Sequence, residues 1–185
     1  MNTPQIINNI VPSVLVSDHQ VEFELQTPLQ QLLNLLEVLK LHSLTQMKNL
    51  VEMTAVDSPA HEFRFYVTYF LLSTQTNMRV RVSVQTNEIL PIISATALFN
   101  SANWYEREIW DLFGIFFANH PDLRRILTDY GFSGHPLRED FPLSGFTDIF
   151  YNDARKLLVY EPVELTQSFR KFSFLSPWTQ ENKSV

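Results

Sequence analysis

The sequence contains no cysteine in its 185 residues. That excludes disulfides, iron–sulfur ligation through thiolates and a thiol nucleophile. Positive charge is also short: 14 Lys and Arg stand against 20 Asp and Glu, with a pI near 5.3. No basic stripe appears, which argues against a nucleic-acid surface. No run of about 18 apolar residues occurs, so no membrane-spanning helix is expected. No Arg precedes Arg64. Neither an Arg-rich transit peptide nor a signal peptide with a basic start is therefore expected. Glycine is scarce, and all four, Gly114, Gly131, Gly134 and Gly145, fall between 114 and 145.

What is present is apolar mass. Hydrophobic residues make up 45% of the chain and fifteen are Phe, enough for a core. The length suits one domain with an appended segment. Thr27-Pro28-Leu29-Gln30 reads as a helix start, with Thr27 as cap and Gln30 completing a capping box. Leu29, Leu32, Leu33, Leu36 and Leu39 then recur with helical spacing. Three strands are expected, at Leu50–Val56, Phe63–Leu72 and Met78–Gln85. The last alternates cleanly between Val and polar residues, and 73–77 joins it to its predecessor as a hairpin. A second helix is expected from Ser94 as N-cap to Phe113, stopped by Gly114.

The expected fold is α+β. Residues 1–116 form a helix-on-sheet core with mixed or antiparallel strands, and 117–185 a long, largely irregular extension. Within that extension only a helical turn near Leu123–Leu127 and a strand at Lys156–Tyr160 stand out. The glycines there point to special backbone conformations or close approach to another surface.

The segment Asn103-Trp-Tyr-Glu106-Arg107-Glu108-Ile-Trp-Asp111-Leu-Phe113 places three adjacent charges among large apolar residues. On a helical wheel Glu106 falls inside the apolar arc, between Phe99 and Phe113, while Arg107 and Glu108 point elsewhere. A carboxylate in such an arc must be paired, protonated or placed at an interface. Arg124, Arg125 and Arg138 follow closely, and every basic residue between 104 and 145 is Arg. Arg suits bidentate, partly buried carboxylate pairs. The expectation is an internal ion-pair network that fixes the path of an irregular segment, with Glu106 paired to one of those arginines or to a cation on a neighbouring subunit.

Tests for catalysis return nothing. Glu106 and Glu108 diverge on the wheel and cannot flank one bond as a glycosidase pair does. His120 and His135 each precede a proline, as in turn construction, and lack helical zinc spacing. Gly131-Phe-Ser-Gly134 is no dinucleotide fingerprint, and no nucleophile elbow or phosphate loop occurs. No catalytic, cofactor-binding or metal residue is assigned.

The stretch EREIWDLFGIFFANHPDLRRILTDYGFSGHPLREDFPL, Glu106 to Leu143, closely resembles the signature of the so-called thirty-kilodalton subunit of respiratory complex I. It looks most like the organelle-encoded form. The resemblance continues through Tyr160-Glu-Pro-Val163 and Gln167-Ser-Phe-Arg170 to Ser176-Pro-Trp178. It covers in this sequence Glu106, Arg107, Glu108, Asp111, His120, Asp122, Arg124, Arg125, Asp129, His135, Arg138 and Asp140. Relatives often carry Lys where this chain has Glu139. The resemblance implies a structural subunit of the peripheral arm of NADH:ubiquinone reductase, supporting its quinone-reducing module. It implies that FMN and the iron–sulfur clusters belong to partner subunits. It also implies contact with the forty-nine-kilodalton and PSST subunits of complex I. The implied location is peripheral, on the matrix side of the mitochondrial inner membrane or on a bacterial cytoplasmic face. The rival readings are a binding module outside any respiratory enzyme and an independent hydrolase or metalloenzyme.

Overall fold

A computed structural model of the chain describes residues 15–19, 22–172 and 174. Within them the chain divides into two compact units at Leu143/Ser144. The first holds a five-stranded sheet: β1 (Leu15–His19), β2 (Glu22–Thr27), β3 (Asn49–Asp57), β4 (Phe65–Ser73) and β5 (Met78–Thr86). Their spatial order is β1-β2-β5-β4-β3. Only the β2–β5 pair is parallel; the others are antiparallel. The sheet is therefore mixed, as expected.

Alternation decides which face is buried. Phe65, Val67, Tyr69 and Leu71 of β4 and Val80, Val82 and Val84 of β5 point into the core, while Tyr66, Thr68, Phe70 and Leu72 stay half-buried. Helix α1 (Leu32–Leu41) adds Leu32, Leu35, Leu36 and Leu39 to the same cluster. Its start departs from the expected capping box. A 3-10 turn, Leu29–Gln31, precedes it, and no side chain caps either start. Thr27 ends β2 instead, and its hydroxyl lies 3.4 Å from the Pro28 carbonyl.

Helix α2 spans Ala102–Phe113, not the expected stretch from Ser94. The short strand β6 (Ile92–Ile93) pairs in parallel with β7 (Phe117–Ala118). The Ser94 N–H continues that pairing by donating to the Ala118 carbonyl at 2.9 Å. Ser94 is thus committed to the strand pair, and 95–101 connects by separate turns. Gly114 does stop the helix, at φ 76°. Ser101 and Tyr105 donate their hydroxyls to the Leu50 and Val51 carbonyls, which fixes α2 on the edge strand β3.

The first unit runs past 116 to Leu143, and its last stretch carries no helical turn at 123–127. The second unit is a hairpin of β8 (Thr147–Asn152) and β9 (Leu157–Pro162). Lys156, expected to open a strand, instead sits in the turn at φ 55°.

Candidate functional site

The site is the stretch 120–140, and α2 is what positions it. Asp111 is fully buried in the last turns of α2. Its Oδ2 accepts the N–H groups of Ile126, Leu127 and Thr128 at 3.1, 2.7 and 3.0 Å. Its Oδ1 accepts the Thr128 hydroxyl at 2.6 Å and lies 3.4 Å from the Arg125 guanidinium. Burial alone would raise the pKa of this carboxyl. The hydrogen bonds from Thr128, Leu127 and Ile126 outweigh burial and hold it below the ordinary value. A helical turn at 123–127 would turn those amides onto its own carbonyls; Asp111 claims them instead.

The carbonyls that end α2 are covered by the following block. A helix leaves its last C=O groups without partners. Here His135 Nδ1 donates to the Asp111 carbonyl at 3.0 Å, Leu137 N–H to Leu112 at 3.1 Å, and Arg138 Nε to Phe113 at 2.6 Å. Burial depresses the His135 pKa, in keeping with a neutral ring. Gly114 makes this closeness possible, since a Cβ there would lie 2.5 Å from His135 and 2.7 Å from Arg138.

A second charge cluster ties the block to the sheet. Arg64 grips Asp57 through two bonds of 2.5 and 2.7 Å, Asp140 at 2.9 Å and Glu88 at 3.2 Å. Arg138 reaches the same Glu88 carboxylate at 3.0 Å, and the Glu139 N–H donates to Asp57 at 2.8 Å. Arg64 holds the Asp57 and Asp140 carboxyls below their ordinary values, and they raise its own pKa. Both guanidiniums also lie over the Phe65 ring, at 5.4 and 5.3 Å.

Glu106 departs from the first of its two expected pairings, with Arg124, Arg125 or Arg138. It is fully buried, but no arginine meets it. Its partners are the Ser94 hydroxyl at 2.6 Å and the Ala95 N–H at 2.7 Å, with His120 Nε2 at 3.8 Å. The expected arginines are engaged elsewhere: Arg124 with Asp122 at 2.9 Å, Arg125 with Asp111 and the Gly134 carbonyl, Arg138 as above. Without a cation, burial pushes the Glu106 carboxyl up to about 7, despite the bonds from Ser94 and Ala95.

Arg107, expected to project away, is buried. It stacks 4.9 Å from the Trp104 ring and donates to the Arg124 carbonyl. Glu108 is half-buried, and Asp129 accepts the adjacent Tyr130 N–H at 2.8 Å. Sequence reasoning missed Asp57, Arg64, Glu88 and Thr128, which no local pattern marks, and gave Ser94 the role of a helix cap instead. His120 and His135 sit in separate turns, and among the described residues no three His, Asp or Glu stand together as metal ligands would.

Comparison with known proteins places this arrangement. Residues 25–147 match the family model described as the respiratory-chain NADH dehydrogenase 30 Kd subunit. The chain is 51% identical over 172 residues to NADH dehydrogenase [ubiquinone] iron-sulfur protein 3 of Beta trigyna, covering 93% of this chain and 88% of that one. The chain belongs to this subunit family of respiratory-chain NADH dehydrogenase. The Reclinomonas americana member, NADH-ubiquinone oxidoreductase subunit 9, is 50% identical over 86% of this chain and 78% of its own. A trypsin-resistant fragment of Nqo5 superposes with a TM-score of 0.55 at 25% identity, over 66% of this chain and all of the fragment. A chain of the archaeal membrane-bound sulfane sulfur reductase superposes at 0.67 over 76% of this chain and 84% of its own. At 20% identity that second likeness shows the fold alone. The resemblance carried by Glu106–Leu143 thus holds for most of the chain. Membership also makes it a subunit of a respiratory membrane complex, although no described helix is long and apolar enough to cross a membrane.

Proposed function

We propose that this chain is a non-catalytic structural subunit of the peripheral arm of NADH:ubiquinone oxidoreductase, docked by its C-terminal unit on the forty-nine-kilodalton and PSST subunits. It works on the matrix side of the mitochondrial inner membrane. It holds no FMN, iron–sulfur cluster or quinone, and the absence of cysteine removes the usual cluster ligands. The observation that carries the reading is the state of the β8–β9 hairpin. Ile149, Phe150, Tyr151, Leu157, Leu158 and Tyr160 are all exposed, and the unit has no buried residue among those described. A two-stranded hairpin is marginal at best in water, so this one is built to gain its burial from a partner. Ahead of it in the chain, 120–140 is bound to the rest of the first unit by the Asp111 and Arg64 networks, which supports a rigid base before a docking segment.

The experiment is hydrogen exchange on the free chain and on the assembled enzyme. Amides of 147–162 are expected to exchange rapidly when free and to become protected on assembly. Strong, equal protection in both would overturn docking by this unit.

A further inference from the structure

Glu106 is the one fully buried carboxylate of the site that no cation neutralises among the described residues. The groups facing it come from three directions. Ser94 and Ala95 bond to it from the stretch after β6, and the Ser94 hydroxyl also lies 2.7 Å from Thr96. Tyr69 faces it from β4, buried, and has its hydroxyl pKa raised by burial and then by the Glu106 charge. His120 faces it from the turn after β7, with a buried side chain. The same His120 Nε2 lies 3.2 Å from the Asn103 carbonyl of α2.

The His120 ring has its tautomer set by its own turn. The Asp122 N–H donates to Nδ1 at 3.0 Å, so Nδ1 presents its lone pair. The neutral ring therefore carries its proton on Nε2. That N–H has two acceptors in reach, the Asn103 carbonyl at 3.2 Å and Glu106 Oε2 at 3.8 Å. A protonated carboxyl is a poor competitor for it, and an ionised carboxylate is a strong one. The backbone is constrained on both sides of the ring: Asn119 stands at φ 65° and Pro121 comes directly after His120.

We infer that Glu106 and His120 form a proton-operated latch. When Glu106 gives its proton to solvent, the His120 Nε2–H moves from the Asn103 carbonyl to Glu106 Oε2, and the 119–122 turn is drawn against α2. When Glu106 regains the proton, the Nε2–H returns to Asn103. Because burial lifts the Glu106 carboxyl to about 7, both positions are populated near neutral pH. The latch sits at the start of the 120–140 block, so it couples proton occupancy to the seating of the segment that Asp111 then fixes.

The test is nitrogen-15 NMR of the histidine rings together with carbon-13 NMR of the Glu106 carboxyl, on the full chain, from about pH 5 to 9. The neutral His120 ring is expected to carry its proton on Nε2, with Nδ1 accepting from Asp122. Its Nε2–H resonance should shift with the same midpoint as the carboxyl signal, and that shift should vanish in Glu106→Gln. A ring resonance that ignores the carboxyl titration, an Nδ1–H tautomer, or an unchanged inflection in Glu106→Gln would each overturn the latch. Should Glu106→Gln not fold, the wild-type comparison of ring and carboxyl decides alone.

Discussion

At the scale of single residues, Glu106 and Asp111 are two buried carboxylates on one helix with opposite electrostatics. Asp111 has four hydrogen bonds and a guanidinium, and stays ionised. Glu106 has two hydrogen bonds and no arginine, and burial wins. The pH consequences follow in sign. Between the ordinary glutamate value of 4.5 and about 7 the folded chain binds the Glu106 proton more tightly than the unfolded chain does. Its contribution to stability is present below the lower value and is lost as pH rises through the upper. The loss is on the order of 3 kcal/mol at most. Glu106→Gln keeps an oxygen for Ala95 and removes the titration. It is expected to leave stability unchanged near pH 4 and to raise it near pH 8. Melting temperatures of both chains at the two pH values check this; parallel curves would show that burial does not govern the group. Asp111→Asn is expected to be costly instead, by about 2–3 kcal/mol, because the amide amino group meets the Arg125 donor and the charge on three amides is lost. Urea unfolding measures it, with Asp122→Asn as the exposed comparison, expected to cost about 0–1 kcal/mol.

At the scale of elements, the helix ends carry the lesson. Gly114 has the left-handed φ that side chains disfavour, and a Cβ would collide with both His135 and Arg138. Gly114→Ala is expected to cost at least about 1–3 kcal/mol from backbone strain. It should also loosen the His135–Arg138 block, read as faster exchange of the Leu137 amide. Slow exchange there would mean that the block holds without the glycine. The helix stop was legible because glycine at such a position has one local cause. So were β4 and β5, whose alternation is a local signal, the existence of β3, and the Leu stripe of α1. The start of α2 was not: Ser94 has the chemistry of a cap, but its N–H and hydroxyl are claimed by Ala118 and Glu106. Strands β1 and β2 went unassigned, since β2 finds its second partner only in distant β5. The arginines were legible as a network and illegible as pairs. Arg64 meets Asp140 across 76 residues of sequence, and no spacing rule reaches that far.

At the scale of the whole molecule, the family fold of the first unit is followed by an exposed hairpin, which the proposed function makes a docking segment without chemistry of its own. The purified chain is expected to contain neither stoichiometric iron nor flavin. Elemental analysis and absorbance check this, and either group at one per chain would overturn the non-catalytic reading. The strand order has a further consequence, for the time course of synthesis. β3, β4 and β5 are joined by short connections and can pair as soon as they leave the ribosome. β2 is made before them but lies in parallel beside β5, with α1, β3 and β4 intervening. Pairing at such a separation is slow, because the loop must close before contacts repay it. The β1–β2 arm therefore emerges first and completes the sheet last. Until Thr86 has been made, the side of β2 that later meets β5 is an unpaired edge. Of the five strands of the sheet, β2 is thus the one longest at risk of pairing with the wrong strand.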